Sequence, residues 1–394
     1  MTNKKKAGIA VLIIAVLLII GNFFFGKQPP RYEKPPKDSV ARKAWLSENI
    51  DYAGGNDFVY IDYDVPSWKK IEKMKKSMAM EPKYPAFMSA IQEYGSTTNT
   101  VDILYFADDL KDMGVNTYFI APSYMQQYSK TKGEFELFYS GYKDLDLLSQ
   151  DEARRALAHT ILMAKEQGMA VILFPDYVEL EDGGMARLGI ADDLEDHLEK
   201  IALDLAQVAE DYQVEYFIPS NQIEMLLVTN GYSVEETVRR TNAFYARVVP
   251  KIREIYKGKI LYKMGGFNKW RNYENISLDG ADLFGFTGCY ANDPDFISRD
   301  IKEAARMADK LSARYGIPWM NVEFLIRSAK DQERDLGGVK SDLPIEEYYQ
   351  AGLEAFNQYA KNAVGFTVHS LLGSGKVYGT AAVPLIREFF AGRK

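Results

Sequence analysis

The chain has 394 residues, 47% of them hydrophobic, and carries a formal net charge of −7. This hydrophobic content excludes disorder over most of the chain and is enough for one or two domains with a large core. The negative charge and the lack of a long basic run argue against a nucleic acid as partner. Cys289 is the single cysteine in the sequence, so an intramolecular disulfide is excluded and the core must supply the stability.

The first predicted element is a membrane-spanning helix over residues 7–26, which are almost entirely apolar. Its length is close to the roughly 20 residues that cross a bilayer. Residues 1–6 form a basic tip with Lys4, Lys5 and Lys6, and this charge predicts a cytoplasmic N-terminus. A cleaved signal peptide is the alternative, but no small-x-small cleavage site follows the apolar run. We therefore expect a single-pass cell-membrane protein whose C-terminal domain is extracytoplasmic, and the lone cysteine favours a prokaryotic cell surface.

A proline-rich stalk follows at residues 27–39, where Pro29, Pro30, Pro35 and Pro36 stand among charged residues. Such a segment buries little apolar surface and is expected to be extended. The folded domain is predicted over residues 40–394. Within it, short β-rich runs alternate with longer amphipathic stretches, which is the pattern of βα units around a parallel sheet.

The alternating pattern contains eight such units. The predicted strands occupy residues 58–61, 117–120, 170–174, 215–218, 259–262, 283–286, 319–322 and 365–368. The predicted helices include 151–167, 194–212, 234–256, 298–315 and 345–361. This pattern predicts an α/β fold of the (β/α)8 barrel class, with an open doubly wound sheet as the alternative. No glycine-rich phosphate or dinucleotide loop follows the first predicted strand, so no cofactor is predicted.

In a (β/α)8 barrel the active site lies at the C-terminal ends of the strands, so the residues there are candidates for chemistry. Carboxylates and amides bind hydroxyl groups and aromatic faces stack on sugar rings, so an acidic, amide-bearing and aromatic set suits a carbohydrate or glycan. Trp270, after predicted strand five, is a further candidate sugar platform. The strand-end set comprises Asp62, Asp64, Ser123, Tyr124, Asp176, Tyr177, Asn221, Gln222, Glu224, Lys263, Tyr290, Glu323, Arg327 and His369.

Two of these strand ends carry a family resemblance. The runs Pro-Ser-Asn-Gln-Ile-Glu at 219–224 and Pro-Trp-Met-Asn-Val-Glu-Phe at 318–324, together with Tyr290, resemble the clan of retaining glycoside hydrolases built on the (β/α)8 barrel. The resemblance extends over most of the folded domain. It implies that Glu323 is the catalytic nucleophile, that Tyr290 orients it by a hydrogen bond, and that Asn221 binds the sugar 2-hydroxyl group.

The chain departs from this clan at the acid/base position, where Gln222 stands in place of glutamate. An amide cannot give a proton to a leaving group. Glu224 lies two residues further on, and on an extended segment it would face the same way, about 6–7 Å along the chain. Retaining enzymes hold their two carboxyl groups about 5–5.5 Å apart and inverting enzymes about 6.5–9.5 Å. Glu224 is therefore the first candidate acid/base and Asp176 the second, while His369 replaces a tryptophan that the clan usually has on strand eight.

Each candidate also has a purely structural interpretation. His159 and His197 fall in helical patterns without metal-ligand spacing, so no metal site is predicted. The structural interpretations are pairing of Glu323 with Arg327, a solvated loop position for Glu224, a loop cap for Asp176, a buried mouth position for His369 and a loop anchor for Trp270.

Three functions are compatible with the sequence. The preferred one is an anchored extracytoplasmic glycoside hydrolase that cleaves a β-linked polysaccharide or glycan, with Glu323 attacking the anomeric carbon. The alternative is a non-catalytic descendant that keeps the groove as a glycan-binding or scaffold surface, because Gln222 has replaced the acid. A third is a barrel enzyme with other chemistry, such as a lyase or a deacetylase.

Overall fold

A computed structural model describes residues 64–78, 80–92, 96–126, 135–138, 148–178, 194–229, 231–265, 274–288, 294–324, 343–369, 371 and 377–393. The predicted membrane span at 7–26 and the stalk at 27–39 lie outside these ranges. Within them, no helix has both the length and the apolar character needed to cross a membrane.

Eight parallel strands form a nearly closed barrel, which confirms the predicted (β/α)8 architecture. Going around the barrel, neighbouring strands follow the order β10, β9, β8, β7, β5, β2, β1, β11. Single bridges from Trp319 to Ala363 and from Phe324 to Val368 join the two ends of this series. The barrel strands are β1 Met88–Gln92, β2 Thr117–Ile120, β5 Ala170–Leu173, β7 Tyr216–Phe217, β8 Lys259–Met264, β9 Leu283–Thr287, β10 Trp319–Glu323 and β11 Gly365–His369.

A second, three-stranded sheet sits beyond the C-terminal ends of β2 and β5. It consists of β3 Ser123–Gln126, β4 Phe135–Phe138 and β6 Asp176–Val178, with β3 antiparallel to β4 and parallel to β6. Pro122 and Pro175 separate the barrel strands from this sheet. Proline has no N–H group to extend a strand ladder, so the barrel pairing stops there. Asp176 therefore begins β6 at the rim of the barrel.

Nine helices lie within the described ranges. Five of them were predicted from periodic amphipathic patterns, and each predicted end lies within four residues of the observed end. The capping box formed by Ser149 and Glu152 explains the sharp start of one, α3. The helices are α1 Trp68–Ser77, α2 Ser96–Asp112, α3 Gln150–Glu166, α4 Leu194–Asp211, α5 Ile223–Thr229, α6 Val234–Ile255, α7 Pro294–Tyr315, α8 Ile345–Tyr359 and α9 Ala382–Ala391.

The first barrel strand differs from the one predicted. Residues 58–61 lie outside the described ranges, and the place next to β2 and β11 is filled by β1 Met88–Gln92. All five residues of β1 are buried. The sequence of β1, Met-Ser-Ala-Ile-Gln, has few β-branched residues, so its propensity gave little warning of a strand.

The core is divided into an inner and an outer part by the barrel wall. Inside the barrel, a compact cluster of side chains from the strands includes Phe119, Ile172, Leu261, Met320 and Val322. A much larger cluster between the strands and the helices fills the outer layer. Since the strands are buried on both faces, they read as nearly continuous apolar runs, as expected for a parallel sheet covered by helices.

Candidate functional site

Glu323 lies at the C-terminal mouth of the barrel, and four polar side chains surround its carboxylate. The Nζ atom of Lys263 is 3.1 Å from Oε2, and the hydroxyl group of Thr287 donates to the same oxygen at 3.3 Å. The amide of Gln222 also donates to Oε2, at 3.4 Å, while Nδ1 of His369 is 3.6 Å from Oε1. The carboxylate is thus held between residues from four other strand ends.

An irregularity in β10 sets the direction of Glu323. Asn321 pairs with Phe286 of β9, but Glu323 pairs with Thr287, so Val322 is an extra residue in the ladder. A bulge of this kind redirects the side chains that follow it. It allows Val322 to enter the inner core while the next residue, Glu323, still reaches Thr287 at the mouth.

Lys263 is the central cation of the site and is completely buried. Its Nζ atom donates to Oε1 of Gln92 at 3.1 Å and lies 4.5 Å from the centre of the Phe174 ring. Burial lowers the pKa of its ammonium group, and the carboxylates of Glu323, Asp176 and Glu224 oppose this change. Lys263 thus interacts electrostatically with three carboxyl groups.

Gln222 occupies a strained backbone position. Its φ angle is +52°, in the left-handed region of backbone conformation that residues other than glycine rarely adopt. Its side-chain nitrogen also donates to the hydroxyl oxygen of Thr287 at 2.5 Å. A Cβ atom on Gly265 would lie 2.2 Å from Cγ of Met225 and 2.9 Å from Oε1 of Gln222, so a larger residue there would press on both side chains. The local structure therefore fixes the Gln222 amide against Thr287 and Glu323.

Glu224 is not on an extended segment, contrary to the expectation from the sequence. Helix α5 begins at Ile223, so two residues correspond to about 200° of rotation and not to the same face. The Glu224 carboxylate accepts a hydrogen bond from the backbone N–H of Gly265. Burial raises its pKa to about 7, although the Gly265 N–H and Lys263 act in the opposite direction. No hydrogen bond joins Glu224 to Glu323 among the described residues.

Asp176 is a buried carboxyl group at the rim, and it interacts electrostatically with Glu323. Burial raises its pKa to about 7, and the charge of Glu323 adds to this. Lys263 and the neighbouring Asn221 side chain act to lower it. An aspartate of this kind carries a proton near neutral pH, which is the property of a general acid.

The remaining amide-bearing, aromatic and arginine candidates fall into three groups. The side chain of Asn221 is fully buried beside Asp176, and neither of its polar atoms forms a hydrogen bond with normal geometry within the described part of the chain. Tyr124 and Tyr177 pack in the outer core, where the Tyr177 hydroxyl donates to Ser220 at 3.4 Å. Tyr290, Trp270 and Arg327 lie outside the described residues.

Two residues of the site were missed by sequence reasoning, and a third was named without a role. Thr287 and Gln92 were not candidates, and Lys263 was named only as a strand end. The alternation of side chains along β8 and β9 could have indicated two of these residues. Leu261 and Leu283 point into the barrel. Lys263, two positions after Leu261, and Thr287, four positions after Leu283, therefore face the barrel interior as well. No cluster of three metal-ligating side chains occurs within the described ranges.

The class that this fold defines is the (β/α)8 barrel found in glycoside hydrolases, which confirms the resemblance at the level of the fold. A GH113 beta-1,4-mannanase, solved as a complex, is similar with a TM-score of 0.56 and 16% identity over 78% of this chain and 100% of that chain. The GH113 beta-mannanase AaManA from Alicyclobacillus acidocaldarius, in complex with ManMIm, gives a TM-score of 0.56 and 14% identity over 79% of this chain and 99% of that one.

A larger protein shares the fold less closely. A beta-glucuronidase from an uncultured Clostridium sp. is 14% identical, with a TM-score of 0.50, over 80% of this chain and 53% of its own. No protein-family model matches the sequence, and no curated protein sequence matches it either. At these identities the similarity defines the fold, and the activity has to be argued from the site.

Proposed function

We propose that this chain binds a carbohydrate at the mouth of its barrel and does not hydrolyse it by the retaining route. The observation that carries this proposal is the hydrogen bond from Nε2 of Gln222 to Oε2 of Glu323, 3.4 Å long. The amide occupies the position where the clan resemblance requires a proton donor. Because an amide has no acidic proton, the leaving group of a glycoside would receive no assistance from it.

Two buried amides support binding of a hydroxyl-rich ligand. Within the described residues, Nε2 of Gln92 and both polar atoms of Asn221 form no hydrogen bond with normal geometry, although the Asn221 side chain lies close enough to Asp176 to lower its pKa. A buried polar group without a partner costs about 1–3 kcal/mol. Sugar hydroxyl groups both donate and accept hydrogen bonds, so they can satisfy amide oxygen and amide nitrogen together.

The structural relatives suggest the first ligand to test. Two of the solved structures with this fold are beta-1,4-mannanases. A β-1,4-linked mannooligosaccharide is therefore the proposed ligand class, carried over from proteins that share the fold.

The decisive experiment compares binding with cleavage in the purified full-length chain. We expect β-1,4-mannooligosaccharides to bind by isothermal titration calorimetry without release of reducing ends. Asn221→Ala should weaken binding about tenfold, which corresponds to about 1.4 kcal/mol. Gln222→Glu should introduce slow cleavage, and the matched variant Gln222→Ala should not. Absence of binding to this ligand and to a wider glycan panel would refute the binding proposal.

A second candidate function is hydrolysis with Asp176 as the general acid. The observation that favours it is the pKa of Asp176, which burial raises to about 7, together with its electrostatic interaction with Glu323. In that case the unmodified chain would release reducing ends, and both Asp176→Asn and Glu323→Gln would abolish release while Gln222→Ala would not. This result would replace the non-catalytic proposal.

We also propose that residues 7–26 anchor the chain in a membrane with the barrel outside the cytoplasm. The apolar run and the lysines before it support this orientation. Extraction of the expressed full-length chain with alkaline carbonate tests it, because a spanning segment stays with the membrane and a peripheral protein is released.

A further inference from the structure

Helix α1 carries a stripe of lysines on its exposed face. Lys69, Lys73 and Lys76 are exposed and recur at the i, i+4, i+7 spacing that places residues on one side of a helix. Lys70 is exposed beside the stripe, and the buried residue Ile71 faces the core. The exposed Glu72 lies on the same side, between Lys69 and Lys76, and it is the one acidic residue of α1 against five lysines. Helix α1 is thus strongly basic in a chain whose formal net charge is −7.

These lysines differ from several surface cations on other helices. Arg154 of α3 pairs with Asp204 of α4 at 2.8 Å, and Arg247 of α6 pairs with Glu199 of α4 at 2.7 Å. Within the described part of the chain, no ion pair joins Lys69, Lys73 or Lys76 to a carboxylate. With Glu72 as its single acidic residue, α1 keeps an excess of four positive charges.

An amphipathic aromatic residue stands at the start of the same helix. Trp68 is 40% exposed, and its indole Nε1 donates to Oδ1 of Asp151 at 2.8 Å. Tryptophan is favoured at the boundary between water and lipid headgroups, and lysine is favoured beside anionic headgroups. Trp68 and the lysine stripe are therefore side chains that favour contact with an anionic membrane surface, while the apolar side of α1 stays packed on the barrel.

We propose that α1 docks the barrel onto anionic phospholipid headgroups of the bilayer that residues 7–26 would enter. This inference rests on the proposed anchor, and the charge complementarity of the stripe supports it. The predicted stalk at 27–39 would join the span to the folded domain, and a docked helix would fix the orientation of the barrel relative to the bilayer.

The direction of α1 determines how the barrel would lie. Trp68, at the start of α1, contacts Asp151 at the start of α3, and Lys75, near its end, lies over the ring of Tyr212 after α4. Since α3 starts at the mouth and α4 ends at the base, α1 runs along the wall from mouth to base. Docking through α1 would therefore place the barrel axis roughly parallel to the membrane surface. The mouth would then face sideways, neither toward the bilayer nor directly away from it.

Amine labelling of the full-length chain in vesicles tests this proposal. The chain is reconstituted in pure phosphatidylcholine and in an equimolar mixture with phosphatidylglycerol, and acetylation rates of single lysines are measured by mass spectrometry. We expect Lys69, Lys73 and Lys76 to react several-fold more slowly in the anionic vesicles, with the protection lost in high salt. Exposed Lys302 and Lys310 on α7, on the far side of the barrel, should react at the same rate in both.

Charge-reversal variants supply the matched control. A triple substitution of Lys69, Lys73 and Lys76 by Glu should remove the difference between Lys70 labelling in the two vesicle types. The same change at Lys302, Lys310 and Lys361 should leave it intact. Equal rates for the stripe lysines in both vesicle types would overturn the proposal. So would equal protection by soluble inorganic polyphosphate added to phosphatidylcholine vesicles, because the stripe would then be a site for soluble polyanions.

The failure of the anchor can be distinguished from the failure of docking. If residues 7–26 do not anchor the chain, alkaline carbonate will release it from both vesicle types, whatever the lysine rates are. If the anchor holds and α1 does not dock, the chain will remain with both vesicle types and the stripe will label equally in each.

Discussion

The ammonium group of Lys263 lies 3.1 Å from the carboxylate of Glu323, and both side chains are almost completely buried. Two opposite charges in a dry interior stabilise one another only while both are present. A change to either residue of this pair at the candidate site should therefore also lower the stability of the barrel.

Removal of Lys263 should destabilise the protein strongly. Lys263→Met leaves the Glu323 carboxylate buried without its cation, and we expect the free energy of unfolding to fall by about 3–5 kcal/mol. The double variant Lys263→Met/Glu323→Gln should recover much of this loss. Urea denaturation measures both values. The exposed pair Arg239 and Glu236 is the control, and disrupting it should change stability little because water screens its charges. A small loss in Lys263→Met would show that the pair is not coupled as the distance indicates.

A second buried ion pair should hold the base of the barrel together. Glu215 accepts hydrogen bonds from Lys165 at 2.6 Å and from the backbone N–H groups of Lys83 and Val171, both at 2.9 Å. Glu215→Ala leaves these donors without their acceptor, so we expect a loss of about 3–5 kcal/mol in unfolding free energy. Glu166→Ala, on the exposed face of the same helix as Lys165, should change stability by less than about 0.5 kcal/mol. Faster hydrogen exchange at the Val171 amide would locate the effect.

The inner packing beside the β10 bulge should not tolerate an added methyl group. A Cβ atom on Gly285 would lie 2.2 Å from Cγ1 of Val322 and 2.8 Å from the carbonyl oxygen of Met320. Gly285→Ala should destabilise the fold by about 1–3 kcal/mol, because the bulged residue must move. Gly392→Ala, whose Cβ would have no neighbour closer than 3.6 Å, should be close to neutral. Thermal unfolding of the two variants side by side checks this, and equal stabilities would contradict it.

Asp176 and Glu224, two of the three buried carboxyl groups around Lys263, should make stability fall as pH rises. The pKa of Asp176 is raised from 3.8 to about 7 and that of Glu224 from 4.5 to about 7, in both cases mainly by burial. Between about pH 4 and 7 the unfolded chain loses these protons and the folded chain keeps them. The stability that they contribute is complete below the unfolded pKa and is lost as pH passes through the folded value.

The size of this effect follows from linkage. Each group should lower the unfolding free energy by up to about 1.4 kcal/mol per pH unit within that window. Asp176→Asn and Glu224→Gln should each reduce the slope of stability against pH, measured by urea denaturation from about pH 4 to 8. Asp151→Asn at an exposed position is the control and should leave the slope between pH 4 and 7 unchanged. An unaltered slope in both site variants would mean that neither carboxyl group is held protonated.

Regular elements were well predicted where their periodicity is strong. The helix predicted at 194–212 is observed as Leu194–Asp211, and the strand predicted at 117–120 is observed as Thr117–Ile120. The strand β1 was missed because its residues are buried by contacts with β2 and β11, and the propensities of Met, Ser and Gln do not show this. Burial of such a strand depends on the closure of the barrel.

The sequence by itself determined that polar and acidic side chains follow strands at 219–224 and 318–324, and that glutamine stands where an acid is expected. It could not determine which of these side chains meet. Glu224 turns away because helix α5 starts at Ile223, and Glu323 turns inward because β10 contains a bulge. Side-chain direction depends on local register, and contact between strand ends depends on closure of the sheet, so only the tertiary structure brought Lys263, Gln222 and Glu323 together.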